Sequence, residues 1–254
     1  MEMHEIRPEI SQALLTNPGI GFIAAPELMD AEPNALRDSR GQIVAPYKFT
    51  PDSRTWNHPD SGVLFCSCRW KDIEPMQGTY DWRCLEEKLD AAAALGCTCI
   101  VRISPYALSA QEDIPAWLRM RYPEEPEFPF WRIDPNTTEY PRLWAALIRN
   151  FAARYDGDPR ITSVDMAIVG AWGEGGGTEN MEENAMKTVI AAYMEGFPHT
   201  PLTALLHDPK SLACIRAFPK QVGFRVDCLG DMGGFHGDQW SHMLDFYPEN
   251  IQNF

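Results

Sequence analysis

The sequence has little positive charge. It contains 22 Lys and Arg residues against 36 Asp and Glu among 254, which gives a formal net charge of −14. Nucleic acids and anionic membrane surfaces are bound through basic patches, so this balance argues against both as partners. The negative charge does not argue against a neutral ligand such as a sugar. The sequence also lacks an apolar run long enough to span a bilayer.

The cysteines do not form the regular set of a disulfide-rich secreted domain. There are seven, an odd number, scattered along the chain. The first residues, Met1 to Arg7, lack the basic start and apolar core of a secretory signal. We therefore expect a cytoplasmic protein with reduced thiols.

Two Cys-x-Cys pairs lie on neighbouring predicted strands: Cys66, Cys68, Cys97 and Cys99. Side chains alternate between the faces of a strand, so these thiols lie opposite Arg69 and Arg102. If the arginines point into the fold, the thiols lie under the helices, where buried cysteine packs as a small hydrophobic residue. Packing is favoured over zinc, and the sequence has no His-rich cluster. We expect no metal and no cofactor.

Strand-like and helix-like segments alternate along the chain. The predicted strands are 19–25, 61–70, 97–104, 161–174, 202–207 and 222–228, and the predicted helices are 81–95 (with Asp81 as N-cap), 138–155, 179–195, 210–217 and 239–246. Loops occupy 26–58 and 105–134. This alternation predicts right-handed βαβ units in an α/β fold with a parallel sheet.

The sheet could be open and doubly wound, or closed as a (β/α)8 barrel of the TIM type. An open sheet would favour a glycine-rich phosphate loop after the first strand, and Gly19-Ile-Gly21 lacks the third glycine and the following helix. Barrels gather functional residues at the carboxyl ends of their strands. Five successive predicted ends carry polar or aromatic groups: Arg69 and Trp70, Arg102 and Ser104, Trp172 and Glu174, His207 and Asp208, and Asp227. We therefore predict a single barrel domain over residues 1–254.

Glu174 is the principal candidate for chemistry. The mostly apolar run from Ile161 ends in Trp172-Gly173-Glu174, and three glycines follow. Glycine lets a backbone turn sharply or approach a ligand closely. The pattern is typical of a strand that delivers a carboxylate to a cleft, and an ordinary strand-to-helix turn is the alternative.

A longer motif follows the second predicted strand: Trp70-Lys-Asp-Ile-Glu-Pro-Met-Gln-Gly-Thr-Tyr-Asp-Trp82. It resembles the W-x-x-I-E-P-x-x-G-x-Y-D-W signature of retaining glycoside hydrolases with (β/α)8 barrels, the clan that contains β-galactosidases and cellulases. The segments Arg154–Arg160 and Gly170–Glu174 are similar to a little-characterised glycosidase-like family that usually carries a C-terminal β-sandwich. The resemblance implies a carbohydrate substrate and retaining hydrolysis.

The resemblance also implies roles for single residues. The clan places its general acid/base at the end of strand four, which corresponds to Glu174. The preceding residue is commonly an Asn that holds the sugar 2-hydroxyl, and here it is Gly173. That difference leaves open a barrel that binds carbohydrate without cleaving it. Glu74 belongs to the loop and helix start in the clan, so we expect it to be structural.

The candidate substrate-binding residues are Trp70, Arg102, Tyr106, Trp172, His207, Asp208, Arg225 and Asp227. The indoles could stack on pyranose rings. Arg102 could orient a carboxylate through a bidentate contact, or form an ion pair within the barrel mouth. His207 and Asp208 offer hydrogen bonds to hydroxyls. Arg225 and Asp227 share a strand face, so they could form a structural salt bridge with each other or contact a ligand. Trp117, Trp131 and Trp240 are further aromatic candidates, whereas Trp144, on an amphipathic helix, is expected in the core.

About six strands can be counted, whereas a closed barrel of this type has eight. We therefore expect a barrel truncated after about six βα units, with unpaired strand edges that a homo-oligomer or further residues would cover. The clan's nucleophilic carboxylate ends strand seven. We accordingly expect the nucleophile beyond Phe254 and residues 1–254 alone to be inactive.

Overall fold

A computed structural model describes residues 62–107, 113–124, 126–128, 131–206 and 208–226, together with the backbone of three short earlier strands. The strands are β1 (Ile23–Ala24), β2 (Ala35–Arg37), β3 (Ile43–Pro46), β4 (Val63–Arg69), β5 (Thr98–Ser104), β6 (Ile161–Asp165), β7 (Leu202–Leu205) and β8 (Gly223–Arg225). The helices are α1 (Trp70–Ile73), α2 (Arg83–Ala94), α3 (Ala116–Arg121), α4 (Glu139–Tyr155), α5 (Glu183–Gly196) and α6 (Pro209–Ile215), and a 3₁₀ turn covers Thr178–Asn180.

Six strands form one sheet in the order β1-β4-β5-β6-β7-β8, and every neighbouring pair is parallel. Within this sheet each strand lies beside the one that precedes it in the chain. A doubly wound sheet reverses its order at a switch point, whereas a (β/α) barrel adds its strands in sequence. The barrel-type α/β arrangement is confirmed, and the open doubly wound alternative is wrong.

Several local predictions need correction. Strands β2 and β3 pair antiparallel in a separate small sheet inside the predicted loop 26–58, and α3 lies inside the predicted loop 105–134. The predicted helix 179–195 divides into the 3₁₀ turn and α5. Helix α2 has Trp82 rather than Asp81 at its N-cap, although Asp81 Oδ1 accepts the backbone N–H of Arg83 at 3.1 Å. The predicted helix 239–246 lies outside the described residues.

The fourth strand of the sheet, β6, ends at Asp165 and not at Glu174. The buried residues after it leave the sheet, and their carbonyls accept hydrogen bonds from helix side chains instead. Trp144 Nε1 donates to Ala167 O at 2.9 Å, and Tyr140 Oη donates to Ile168 O at 2.8 Å. Because buried carbonyls need partners of some kind, these donors allow an apolar segment to be buried without strand pairing.

The two faces of the sheet differ in character. The register pairs Ser67 with Arg102 and Arg69 with Ser104, so these side chains share the inner face. Cys66, Cys68 and Cys99 lie on the opposite face and are buried, as is Cys97. The predicted placement of the cysteines under the helices is confirmed.

Aromatic packing joins the end of β4 to helix α4. The ring centroids of Trp70 and Trp144 are 5.0 Å apart, and those of Trp70 and Tyr140 are 6.0 Å apart. Trp144 is fully buried, which confirms its predicted place in the core. Within the described parts of the chain, none of the helices combines the length and apolar character needed to cross a bilayer.

Candidate active site

Asp165, the last residue of β6, lies between two guanidinium groups at the carboxyl ends of the strands. Arg102 Nε and Nη2 donate to Asp165 Oδ2 at 2.8 and 2.6 Å. Arg225 Nε, from the end of β8, donates to Oδ1 at 2.7 Å. The Asp165 side chain is only 1% exposed. A buried carboxylate is costly unless it is paired, and here both of its oxygens are engaged.

The same arginines also hold the loop that carries Glu174. Arg102 Nη1 donates to Trp172 O at 3.1 Å, and Arg225 Nη2 donates to Gly173 O at 3.1 Å. Ser104 Oγ adds a second hydrogen bond to Trp172 O, at 2.8 Å. Two strands of the sheet, β5 and β8, therefore position the two residues that immediately precede Glu174.

Trp172 has a left-handed backbone with φ +54°, which is unusual for a bulky residue. Such a conformation costs on the order of 1–3 kcal/mol and persists where its surroundings impose it. Here the Trp172 N–H donates to Tyr106 O at 2.7 Å, while its carbonyl is held by Arg102 and Ser104. The residue remains 45% exposed. The loop is thus strained in a way that presents an indole to solvent.

Glycine is required at position 173. Gly173 has φ +75°, and an added Cβ would lie 2.5 Å from the Ala167 Cβ and 3.2 Å from the Arg102 Cδ. The contact with Ala167 cannot be relieved without moving the loop or the backbone of Ala167. An Asn before Glu174 is therefore incompatible with this backbone.

Glu174 lies at the edge of the charged cluster. Its Oε1 is 3.7 Å from Arg102 Nη1, and 36% of its side chain is exposed. The carboxylate is thus close to a positive charge held by Asp165 and is still reachable from solvent. A group that exchanges a proton with a substrate needs this combination of fixed position and access.

A small pocket, partly open to solvent, adjoins the loop. Its lining residues are Met166, Ile168, Gly173, Gly175, Thr178, Ala204, Leu205, Asp208, Ser211 and Arg225. Asp208 is buried in it, and its Oδ1 accepts the Ser211 N–H at 3.2 Å as the N-cap of α6. Arg225 and Asp208 are therefore brought to one site.

Two of the predicted binding residues are fully buried. Strand β4 ends at Arg69, so Trp70 begins α1 and its indole is fully buried, which leaves no ring face for a sugar. Tyr106 is fully buried too, and it contributes its backbone carbonyl to Trp172 rather than its hydroxyl to a substrate. Burial raises the pKa of Tyr106, opposed by the nearby Gly170 backbone. Both assignments are corrected to structural roles.

The remaining candidates are buried, half-buried or outside the described residues. His207 and Asp227 lie outside the described residues. Trp131 is buried, and Trp117 is half-buried and donates through Nε1 to Glu74 O at 2.9 Å. Trp172 is therefore the only predicted aromatic candidate that is well exposed among the residues the structure describes.

The structural role predicted for Glu74 is confirmed. The residue is buried, and its carboxylate accepts Trp70 Nε1 at 2.6 Å and the Gly78 N–H at 2.7 Å. Burial raises its pKa, and these two hydrogen bonds oppose the increase. Glu74 thus closes the turn between α1 and α2 instead of facing the strand ends.

The central residue of the site, Asp165, was not predicted. Its signal in the sequence is a lone carboxylate in an apolar run, two residues after Ser163 and hence on the same strand face. Only the register of β5 against β6 shows that this face is shared with Arg102.

With this geometry in place, comparison with known proteins is informative. Residues 61–166 match the family model of the glycoside hydrolase 42 β-galactosidases. The chain resembles the β-galactosidase clan of glycoside hydrolases. The resemblance seen in the Trp70–Trp82 signature is thereby confirmed, and the matched segment ends just after Asp165. No curated protein matches the chain significantly.

Similar solved structures are also glycoside hydrolases. Endo-glycoceramidase II from Rhodococcus sp., in a cellobiose-like imidazole complex, is 15% identical over 86% of this chain and 64% of its own, with a TM-score of 0.49. A β-galactosidase from the psychrophilic Marinomonas ef1 is 15% identical, and the match covers 57% of this chain and 33% of the β-galactosidase, with a TM-score of 0.39. A family 39 glycoside hydrolase from the gut symbiont Bacteroides cellulosilyticus WH2 is 16% identical, and the match covers 57% of this chain and 26% of the hydrolase, with a TM-score of 0.37. The chain spans less than two thirds of each of these structures.

Proposed function

We propose that the protein cleaves glycosidic bonds with retention and that Glu174 is its general acid/base. The observation that carries this proposal is the position of Glu174. Its carboxylate is partly exposed at the carboxyl ends of the strands, 3.7 Å from an arginine that is itself fixed by buried Asp165. The match to the β-galactosidase family model supports the substrate class.

The roles follow from the chemistry of retaining hydrolysis. Protonated Glu174 donates its proton to the glycosidic oxygen as the bond to the leaving group breaks, and the resulting carboxylate later takes a proton from the attacking water. Positioning within a fraction of an ångström matters for both steps. The hydrogen bonds to Trp172 O and Gly173 O supply it, because they fix the backbone directly before the catalytic side chain.

Retention also requires a second carboxylate, roughly 5 Å from the first. Asp165 is engaged by two arginines, and Asp208 caps helix α6. Both carboxylates are therefore committed to holding the site together. We infer that the nucleophile comes from outside the described residues.

One observation favours a second function, carbohydrate binding without cleavage. The backbone at position 173 excludes the Asn that holds the sugar 2-hydroxyl in the clan. Without that contact a site could retain sugar affinity through the exposed Trp172 and lose transition-state stabilisation. Sugar-dependent thermal stabilisation with no product after long incubation would select this function.

Glu174→Gln in the full-length protein, assayed on glycosides whose leaving group needs protonation, tests the acid/base role. Removal of a general acid/base lowers kcat/KM by about 10²- to 10⁴-fold. Glu179→Gln is the matched control, since Glu179 is an exposed carboxylate in the adjoining 3₁₀ turn. Equal turnover by wild type and Glu174→Gln would refute the assignment.

A further inference from the structure

Two thiols from different elements lie against each other on the helix-facing side of the sheet. Cys84 Sγ and Cys68 Sγ are 3.4 Å apart and hydrogen-bonded. Cys68 belongs to β4 and is buried, whereas Cys84 is the second residue of α2 and is partly exposed. A reagent in solution can therefore reach one member of the pair, with the other directly behind it.

The surroundings of Cys84 favour its thiolate. The thiol lies in the first turn of the 12-residue helix α2, where the backbone N–H groups and the helix dipole stabilise negative charge. The hydrogen bond with Cys68 is the largest cause that lowers the pKa of Cys84, and the charge of Lys88, one turn further along, also lowers it. Burial and the charges of Asp72 and Asp81 oppose these two causes, and the net shift is downward. The thiolate is the form of cysteine that oxidants attack.

A second thiol pair provides an internal comparison. Cys66 Sγ and Cys99 Sγ are only 2.8 Å apart, on adjacent strands, but both residues are buried. Proximity alone would favour oxidation of Cys66 and Cys99. Solvent access and thiolate character favour oxidation at Cys84, since the susceptibility of a cysteine to oxidation depends on both properties.

We propose that Cys84 and Cys68 form a reversible, peroxide-sensitive disulfide. The Cys84 thiolate attacks one oxygen of hydrogen peroxide, which gives Cys84 sulfenic acid and releases hydroxide. The Cys68 sulfur then attacks the Cys84 sulfur, the S–S bond forms, and the sulfenic oxygen leaves as water with the thiol proton. Each sulfur gives up one electron, and the two electrons reduce the peroxide. A dithiol reductant reverses the reaction.

The disulfide would close the loop of residues 68–84, which contains the Trp70–Trp82 signature. That loop includes α1 and the turn that Glu74 closes through its hydrogen bond to Gly78. A cross-link between the end of β4 and the start of α2 restricts this loop in the unfolded chain, so oxidation should raise the melting temperature.

The test is treatment of the reduced full-length protein with hydrogen peroxide, followed by differential alkylation and peptide mass spectrometry. We expect a Cys68–Cys84 linked peptide that has lost two hydrogens, disappears after dithiothreitol and accompanies a higher melting temperature. Cys66 and Cys99 should remain alkylatable. A Cys66–Cys99 disulfide formed in preference, or Cys84 that stays reduced, would overturn the proposal.

Two variants separate the steps. Cys68→Ser should stop the reaction at Cys84 sulfenic acid, which a dimedone probe labels, and Cys84→Ser should abolish both the disulfide and the label. Cys214→Ser, on distant helix α6, is the control and should oxidise like wild type. Dimedone labelling of Cys84→Ser at Cys68, with wild-type melting behaviour before oxidation, would contradict the assigned order of attack.

Discussion

Arg102 binds Asp165 through two nitrogens, Nε and Nη2, which share the single oxygen Oδ2 at 2.8 and 2.6 Å. The third nitrogen of Arg102, Nη1, is thereby left to face Trp172 O and Glu174. One buried ion pair thus fixes where a positive charge meets the exposed carboxylate. The predictions below follow from this linkage between the sheet and the loop after β6.

Removal of the buried carboxylate should be costly. Asp165→Ala removes the buried anion that Arg102 and Arg225 share, and the loss of one partner of a buried pair typically costs about 3–5 kcal/mol. Urea unfolding monitored by circular dichroism measures the change. Asp72→Ala, which removes an exposed partner of Arg69, is the control and should change stability little. A similar effect of the two substitutions would contradict the account of the cluster.

The loop should tolerate a side chain at Gly176 and reject one at Gly173. Gly173→Ala places a methyl group 2.5 Å from Ala167 Cβ at φ +75°, so we expect it to destabilise the fold by more than about 1 kcal/mol and to displace Glu174. Gly176→Ala meets no atom within 4 Å. Thermal melting of the two variants tests this directly, and equal melting temperatures would show that the loop adopts another backbone.

Trp172 should serve ligand binding rather than stability. Trp172→Gly relieves a left-handed backbone that costs roughly 1–2 kcal/mol for a side-chain-bearing residue, and removes an indole that is 45% exposed. We expect unchanged or higher resistance to urea together with weaker binding of an oligosaccharide in calorimetry. A large loss of stability with unchanged sugar affinity would show instead that Trp172 stabilises the fold and does not bind the ligand.

Asp158 should contribute a pH-dependent part of the stability. Hydrogen bonds from the Arg160 side chain are the largest cause that lowers its pKa, with Nη2 to Oδ2 at 2.6 Å. A carboxyl whose pKa is lower in the folded state stabilises the fold above its unfolded pKa of about 3.9, and this contribution is lost as the pH falls through the folded value. Asp158→Asn should therefore be less stable than wild type at pH 7, and the difference should shrink in acid. A difference that does not change with pH would exclude this coupling.

The sequence was sufficient for the order of the strands and for the side of the sheet on which the cysteines lie. Both depend on local periodicity and on the tendency of successive βα units to lie side by side. Residues 166–169 show the limit of such reasoning. They have the apolar character of a strand, but within the described part of the chain only Met166 keeps a bond to the sheet, through its N–H to Thr203 O. The carbonyls of Ala167 and Ile168 instead accept hydrogen bonds from Trp144, Tyr193 and Tyr140 on helices α4 and α5.

The same limit explains the site. Arg102 and Arg225 were predicted at strand ends, but their common partner Asp165 emerges only from the register between strands. Trp70 was misplaced because β4 ends one residue earlier than predicted, and the next residue turns into a helix and the core. When a strand ends one residue earlier than predicted, the next side chain can lie in the core instead of in the cleft.

The central claim is that Glu174 transfers a proton to the leaving group, and the most direct test varies that leaving group. In the full-length protein, kcat/KM of Glu174→Ala should fall by about 10²- to 10⁴-fold for alkyl or sugar leaving groups that need protonation. It should fall far less for dinitrophenyl glycosides, which depart without a proton. Such a widening gap between the two substrate types would support the account. An equal loss for both types, or no loss for either, would contradict it.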